Sequence, residues 1–513
     1  MTSVTGSAPQ PSPRTILRPG DVVTRSDWPA DRPVRSVHVV RIGGAGMSAV
    51  ARLALEAGLA VSGSDSQDGQ FIAPLREAGA RIGIGFDAAL LADDLDLVIV
   101  STAVRADNPE VRAAHERGIP VIHRAAGLAG LLAGRELVAV AGTHGKTTTT
   151  GMAVTALRGA GLDPAWALGA AVPDLGRNAG FGADSATGPG AGSAPADATP
   201  AVAVVEADES DGSFLAFAPR SLVVTNLEPD HLDFHGDAAT LTAAFDALTD
   251  QILPGGTLVV CADDPGAAAL GERAAARGAT VLRYGTAEGA DWHLRAERSG
   301  TRGAGIEIDT PQGLLSVELS VTGHHNVLNA LGALAATAAA VPGADHAALA
   351  AGLSTFTGAS RRFDVAGTAG GVTVVDDYAH HPREVAATLA AARGIVSAQA
   401  EPGRVLAVFQ PHLFSRTRDF AGDFAAALEA ADRAWVMPVY AAREDPDPST
   451  TARTITDLAG GTVTPLDADD EVLGQVLAEA RTGDLLLMLG AGDVVETTPD
   501  VLEALRTADR GRA

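Results

Sequence analysis

Residues 137–152 read LVAVAGTHGKTTTTGM. The apolar run Leu137–Ala141 is a strand, Gly142-Thr143-His144-Gly145-Lys146-Thr147-Thr148 is a polar turn, and a helix follows from about Thr147. A strand, a glycine turn and a helix N-terminus in succession point backbone N–H groups at phosphate oxygens. Lys146 is the only lysine in 513 residues; of 38 Lys plus Arg, 37 are Arg. A guanidinium replaces an ammonium where diffuse charge suffices, but not where a compact charge must reach between β- and γ-phosphates. Thr147 is placed to ligate Mg2+. The full G-x-x-x-x-G-K-[ST] pattern is broken, because Val140 occupies its first glycine position. The strand, the helix and the lone lysine nevertheless read together as a nucleoside triphosphate site.

Outward from this loop, the first third alternates short apolar runs with helical patterns. SVHVVRIGG is a strand and turn, MSAVARLALEAG a helix ending at Gly58, and VSGSD, LDLVIVSTAV and IPVIHR are further strands. This is βαβ logic and predicts a parallel sheet with helices on its faces. Beyond the loop, AVAVVEADES and SLVVTNLEPDH are strands with polar ends. GVTVVDDYAHHP, RVLAVFQPH, RAWVMPVY and GDLLLMLGAGD form a third such unit. The fold class is therefore α/β, with boundaries expected near 135 and 358 that divide the chain into units over 34–135, 136–357 and 358–513. The Pro/Ser/Thr-rich residues 1–33 are expected to be a disordered tail, and the small-residue stretch 181–200 a mobile surface loop.

Net charge of −25 and a pI near 4.8 argue against nucleic acid and against a basic membrane-surface protein. One cysteine, Cys261, allows no intrachain disulfide and fits a reducing cytosol. The stretch 326–341 is Ala-dominated and short, hence a soluble helix rather than a membrane span.

Other candidates follow strand ends. Glu206, leading EADESDGSF, suits a Mg2+ site, with a solvated acidic loop as the plain alternative. His231 in NLEPDHLDFHG is a metal ligand or a structural histidine. Arg41-Ile42-Gly43-Gly44-Ala45-Gly46 resembles a dinucleotide or nucleotide-sugar turn whose first glycine is replaced by Arg41, with a plain tight βα turn as the alternative. Ser64 and Asp65, at the end of the next strand, would take a ribose or base contact. His325, Asn326 and Asn329 in GHHNVLNALGA read an adenine edge or cap their helix. Arg361, Arg362, Asp376, Asp377, Tyr378, His380, His381, His412, Arg416 and Arg418 gather at strand ends as an anion-handling face.

GGAGMS, AGTHGKTTT, EADESDGSF, NLEPDHLDFHG, GHHNVLNALGA, GASRRFD, DDYAHHP, FQPHLFSRTRDF, VYAARE and GAGDV occur in the order of the Mur ligases, which the chain resembles over about residues 36–500. The resemblance implies three domains: a Rossmann-like UDP-sugar domain, a central P-loop ATPase with a mostly parallel sheet, and a Rossmann-like C-terminal domain. It implies ATP-driven joining of L-alanine to the lactyl carboxylate of UDP-N-acetylmuramate through an acyl phosphate, in cytoplasmic peptidoglycan synthesis. A relative that joins a tripeptide to the same sugar nucleotide, and an inactive nucleotide-binding regulator, are the alternatives. A pyridine-nucleotide dehydrogenase leaves the phosphate loop, Glu206 and His231 unexplained. By resemblance the loop from Gly142 to Thr148, with His325, Asn326 and Asn329, binds ATP. Thr147 and Glu206 hold one Mg2+, Glu206 and His231 a second, and Mn2+ substitutes. Gly43, Gly44, Gly46, Ser64, Asp65 and Arg362 serve the sugar nucleotide. Asp377, Tyr378, His380, His412 and Arg416 handle amino acid and acyl phosphate. Lys146, Glu206, His231, His380 and Arg416 carry the chemistry. Some relatives hold Mg2+ with a carbamylated lysine, and this chain has no second lysine for that, which favours His231. A monomer or weak homodimer, without membrane insertion, is expected. Arg41 is expected to be tolerated, because the other three glycines remain: a negative φ there would admit it, whereas a turn that needs φ > 0 would cost sugar-nucleotide binding.

Overall fold

The structure is a computed structural model that describes residues 27–182, 201–299, 303–359, 361–399, 403–442, 444–468 and 471–510. Most of the expected tail and of the expected loop over 181–200 lies outside them. Two ends of those segments are described. Trp28 lies close over Gly130 and Arg32 donates to the Asp96 carbonyl at 3.0 Å, so residues 27–33 are anchored rather than disordered. Phe181 is buried, and its N–H donates to Glu56 at 2.7 Å, so the expected mobile loop does not begin there.

The first sheet is built as the βαβ pattern requires. Strands β1 (Ser36–Val40) and β2 (Ala60–Asp65) flank helix α1 (Ala45–Glu56), and β3 (Arg81–Ile84), β4 (Leu97–Val100) and β5 (Val121–His123) complete the order β3-β2-β1-β4-β5. Its pairings are parallel, with Val37 opposite both Val61 and Leu97. The order reverses at β1, so the turn after β1 opens at the crevice where such sheets take ligands. Helix α2 (Arg124–Leu131) leads to the second sheet.

That sheet is centred on β6 (Glu136–Ala141), which feeds helix α3 (Lys146–Gly159). Around it stand β7 (Ala165–Val172), β8 (Arg177–Gly180), β9 (Val202–Glu206), β10 (Ser221–Val224), β11 (Thr257–Cys261) and β12 (Thr280–Gly285), in the order β12-β11-β10-β6-β9-β7-β8. β6 is paired in parallel on both sides, with Val140 opposite Glu206 and Val223. Central strands buried on both faces must be apolar throughout, and LVAVA, VAVV and LVV are. β13 (Trp292–Ser299), β14 (Ala304–Thr310) and β15 (Gly313–Leu319) form an antiparallel meander. Helix α4 (His324–Ala340) follows, as the Ala-rich stretch predicts. Among the described residues no helix is long and apolar enough to cross a membrane.

The third sheet comprises β16 (Asp364–Ala369), β17 (Val372–Asp377), β18 (Val405–Phe409), β19 (Arg433–Val436), β20 (Val463–Pro465) and β21 (Leu485–Leu489), ordered β16-β17-β21-β18-β19-β20. All pairings but β16–β17 are parallel. Two apolar clusters cover its faces, one around Phe409, Phe424 and Leu487, the other around Trp435, Leu486 and Val501. By contacts the chain divides into two compact units. The first comprises residues up to Ala171, Gly176–Trp292 and Gly332–Leu349; the second Val172–Leu175, His293–Leu331 and Ala350–Ala513.

Candidate active site

In the first unit the phosphate loop is held by the neighbouring strand end. His144 N–H donates to Asn226 Oδ1 at 2.7 Å, Asn226 Nδ2 donates back to the His144 carbonyl, and Thr143 N–H donates to the Asn226 carbonyl. Thr225 Oγ1 also donates to the His144 carbonyl at 2.6 Å, and the Thr143 hydroxyl donates to the Glu228 carbonyl. Gly142 has φ 126, and a Cβ there would lie 2.2 Å from Thr225 Oγ1. Only glycine fits that backbone and that contact. Gly145 caps α3, and Lys146, Thr147 and Thr148 form its first turn.

Lys146 Nζ donates to the carbonyls of Gly142 and Thr143, at 2.8 and 3.1 Å, and to Glu209 at 2.9 Å. Burial works against its charge, but Glu209, Asp208 and Glu206 more than compensate and raise the ammonium pKa above its ordinary value. Burial pushes the Glu209 carboxyl up, while Lys146 draws it back. Thr147 Oγ1 donates to Glu206 Oε2 at 2.9 Å, and Gly169 N–H donates to the same oxygen at 2.8 Å. A hydroxyl and a carboxylate side by side at a helix N-terminus are the hard oxygen donors that Mg2+ takes. His231 has a left-handed backbone, φ 52, at the start of the short helix Leu232–His235. Its Nε2 stands 3.7 Å from Asp230 and 3.8 Å from Glu209. A histidine held in that sparsely populated region is a mark of constraint at a site.

The glycine turn after β1 keeps the expected shape with one difference. Arg41 has φ 59, so the premise of its tolerance, a negative φ, does not hold. The side chain is exposed, and a left-handed non-glycine residue costs about 1–2 kcal/mol. Gly43 N–H donates to Asp65 Oδ2 at 2.8 Å, so Asp65 fastens the turn itself. Ser64 is fully buried and donates to Glu110 at 2.6 Å. Gly44 precedes α1, and Gly46 lies in its first turn.

The turn and the acidic loop after β9 meet in one cleft lined by Gly46, Arg124, Gly169, Glu206 and Asp208. Arg124 Nη2 donates to Asp208 at 3.3 Å. Burial opposes the charge of both partners. Arg124, Lys146 and His231 nevertheless hold Asp208 well below the usual carboxylate range, and Asp208 and Asp211 raise Arg124. Beside them Asp211 accepts from Thr102 at 2.7 Å and stands 3.4 Å from His123 Nε2. Burial depresses the His123 imidazole to about 4, against the pull of Asp211, so the ring is neutral at pH 7.

In the second unit, Asp377 accepts from the N–H groups of Phe363 and Ala379, at 2.9 and 2.8 Å, and burial raises its pKa. Arg362 pairs with Glu384 at 3.2 Å and lies over the Tyr378 ring. His380 Nδ1 faces two acceptors, the Tyr378 carbonyl at 3.0 Å and Glu384 at 3.1 Å. These contacts favour the tautomer with the proton on Nδ1, in which Nε2 is the acceptor. The His412 ring lies 5.8 Å from His380 and stacks on Tyr440. Arg416 is buried in the helix Phe414–Asp419. Arg361, Phe363 and Leu413 all have positive φ, so the loops bearing these side chains are strained. Asn326 Nδ2 donates to the Thr322 carbonyl and Asn329 Nδ2 to Asn326, so both amides bond within the start of α4 beside His325.

Sequence reasoning missed Asn226, Asp208, Glu209, Arg124 and Glu384. Only the acidic run after Glu206 advertised any of them. Asn226 and Arg124 look ordinary until the strands are placed.

Three family models match the chain in succession. They are "Mur ligase family, catalytic domain" over 36–136, "Mur ligase middle domain" over 140–337, and "Mur ligase, glutamate ligase domain" over 361–492. A UDP-N-acetylmuramate–L-alanine ligase of Kineococcus radiotolerans is 49% identical over 476 residues, 91% of this chain and 96% of its own. One of the same name from Paenarthrobacter aurescens is 47% identical, covering 91% and 97%. Among solved structures, the UDP-N-acetylmuramate–alanine ligase of Thermotoga maritima is similar with a TM-score of 0.73 at 28% identity, covering 92% of this chain and 99% of that one. A murein peptide ligase of Psychrobacter arcticus shares the fold, with a TM-score of 0.67 at 24% identity over 92% and 99%.

Proposed function

Because the chain belongs to the Mur ligase family, we propose that it joins L-alanine to the lactyl carboxylate of UDP-N-acetylmuramate at the expense of ATP, in peptidoglycan precursor synthesis in the cytoplasm. The observation that carries this reading is near-full-length likeness to relatives bearing that name, at 44–49% identity. The murein peptide ligase is the more distant likeness. ATP use follows from family membership.

The chemistry suits the residues. A carboxylate and a triphosphate repel, so their charge must be met before they react in line. Lys146 and the loop N–H groups would take the phosphates. Thr147 and Glu206 fit one Mg2+, which would screen phosphate charge when bound. A second, between Glu206 and His231, has support in the constrained backbone of His231. The lactyl oxygen bonds to the γ-phosphorus and ADP leaves. The alanine amine then attacks the acyl carbon and phosphate leaves. His380, with Nδ1–H fixed by Tyr378 and Glu384, has Nε2 as an acceptor for an amine proton. Arg362, Arg416 and His412 would hold anions, and Asp377 and Tyr378 shape the amino-acid pocket. Gly43, Gly44, Gly46 and Asp65 would meet the sugar nucleotide, and His325, Asn326 and Asn329 the ATP.

The test is phosphate release from Mg2+·ATP with UDP-N-acetylmuramate, comparing L-alanine with the L-Ala-γ-D-Glu-containing tripeptide. Stoichiometric release with L-alanine alone is expected. Release with the tripeptide alone would assign the chain to the recycling reaction, and release with neither would leave a nucleotide-binding regulator.

A further inference from the structure

The mechanism leaves one charge problem in the first unit without an owner. The acceptor's diphosphate belongs at the glycine turn, and its lactyl carboxylate must reach the phosphate held near Lys146. A cleft lined by Gly46, Gly169, Glu206 and Asp208 lies between the first turn of α1 and Glu206, the carboxylate that accepts from Thr147. Its acidic side chains repel an incoming carboxylate. Like charges a few ångströms apart in a partly buried site repel far more than they do in water. Among the described residues that line this cleft, Arg124 is the one cation.

Its placement is specific. Arg124 opens α2 directly after β5, and its guanidinium lies against the first turn of α1. A Cβ on Gly46 would stand 2.4 Å from Arg124 Nη1, so the glycine is what admits the guanidinium. From there one nitrogen reaches Asp208, and the side chain is 22% exposed, facing the cleft. A guanidinium carries five N–H donors in a planar fork that matches a carboxylate.

Resting on the proposed acceptor, we infer that Arg124 binds the reacting carboxylate of the sugar nucleotide. It exchanges Asp208 for the lactyl group and holds that group between the glycine turn and the γ-phosphate. The guanidinium screens the carboxylate from Glu206 and Asp208. It also fixes the direction from which the oxygen attacks. No proton moves in this exchange, since one carboxylate replaces another. Gly46 then has two functions, close approach to the diphosphate and room for Arg124.

The experiment measures binding of UDP-N-acetylmuramate and of its lactyl carboxamide to the full chain and to Arg124→Ala and Arg124→Lys, with turnover alongside. The native chain is expected to prefer the acid at least about 30-fold. Arg124→Ala is expected to lose that preference and to lower kcat/KM for the acid at least about 100-fold, with KM for ATP changed less than about threefold. Arg124→Lys should restore part of the preference, which a merely structural role would not do, because misfolding weakens acid and amide alike. Retention of the full preference in Arg124→Ala would overturn the inference, as would equal binding of acid and amide by the native chain. If Arg124→Ala fails to fold, Arg124→Lys alone decides: an unchanged preference and rate overturn it. Failure of the native chain to release phosphate with L-alanine is a separate result, and it removes the proposed function rather than the role of Arg124.

Discussion

The phosphate loop after β6 and the glycine turn after β1 are the same local device. Each follows a parallel strand and opens a helix, and an anion is proposed for each. They differ in what holds them. The phosphate loop is fastened by Asn226, Thr225 and Glu228 from the next strand end, and its lysine is fastened by Glu209. The glycine turn is fastened by the Asp65 carboxylate and contains a left-handed arginine. A loop that must aim at a γ-phosphate is preorganised by tertiary bonds. The turn proposed for the diphosphate is held by a single side chain and carries a non-glycine residue at φ 59.

The sharpest way to break this contrast is Lys146→Arg. One ammonium nitrogen donates to two carbonyls and to Glu209 at 2.8–3.1 Å, three directions from a single atom that a planar guanidinium on a longer stem does not reproduce. Phosphate release should fall by about 1,000-fold, the scale seen when a preorganised charge stabiliser is lost. Activity within tenfold of the native chain would show that the lone lysine reflects coding bias alone. Asn226→Ala comes next. It removes two bonds to His144 and should raise KM for ATP about 100-fold, leaving KM for the sugar nucleotide within about threefold. An equal rise in both would mean that the strand end, not the loop, had been damaged.

On the other side of the comparison, Asp65→Asn keeps the shape but weakens a charge-assisted bond to Gly43. A rise of about tenfold in KM for the sugar nucleotide is expected, read in initial-rate assays at saturating ATP. No change would mean the turn holds itself. Arg41→Gly should have the smallest effect. Relief of left-handed strain, partly offset by glycine's freedom in the unfolded chain, should stabilise by about 1 kcal/mol, read as a rise in thermal midpoint. If instead it lowers KM for the sugar nucleotide many-fold, Arg41 impairs binding and is not merely tolerated.

Much of this was legible beforehand. Apolar runs such as LVAVA and LVIV leave a parallel strand no alternative, and the lone Lys146 marked the nucleotide loop. The meander β13–β15 went unread. WHLRAERS and GLLSVEL mix charged and apolar residues, as half-exposed antiparallel strands do, so they do not stand out from loops. That one oxygen of Asp65 also holds the turn, beside the ligand contact expected of it, shows only in the folded chain. Asn326 was read as facing adenine or capping its helix, and it bonds to the backbone one turn earlier.

The sequence by itself determined the α/β class, the nucleotide loop and the family, because those depend on short-range patterns: strand, glycine turn, helix, and a lysine that nothing else replaces. Only the tertiary structure decided who holds that loop, that Arg41 sits at positive φ, and that Arg124 and Asp208 meet across 84 residues of chain. These facts depend on which strand ends lie side by side in a sheet. That adjacency follows from burying every strand at once, so no single stretch of sequence states it.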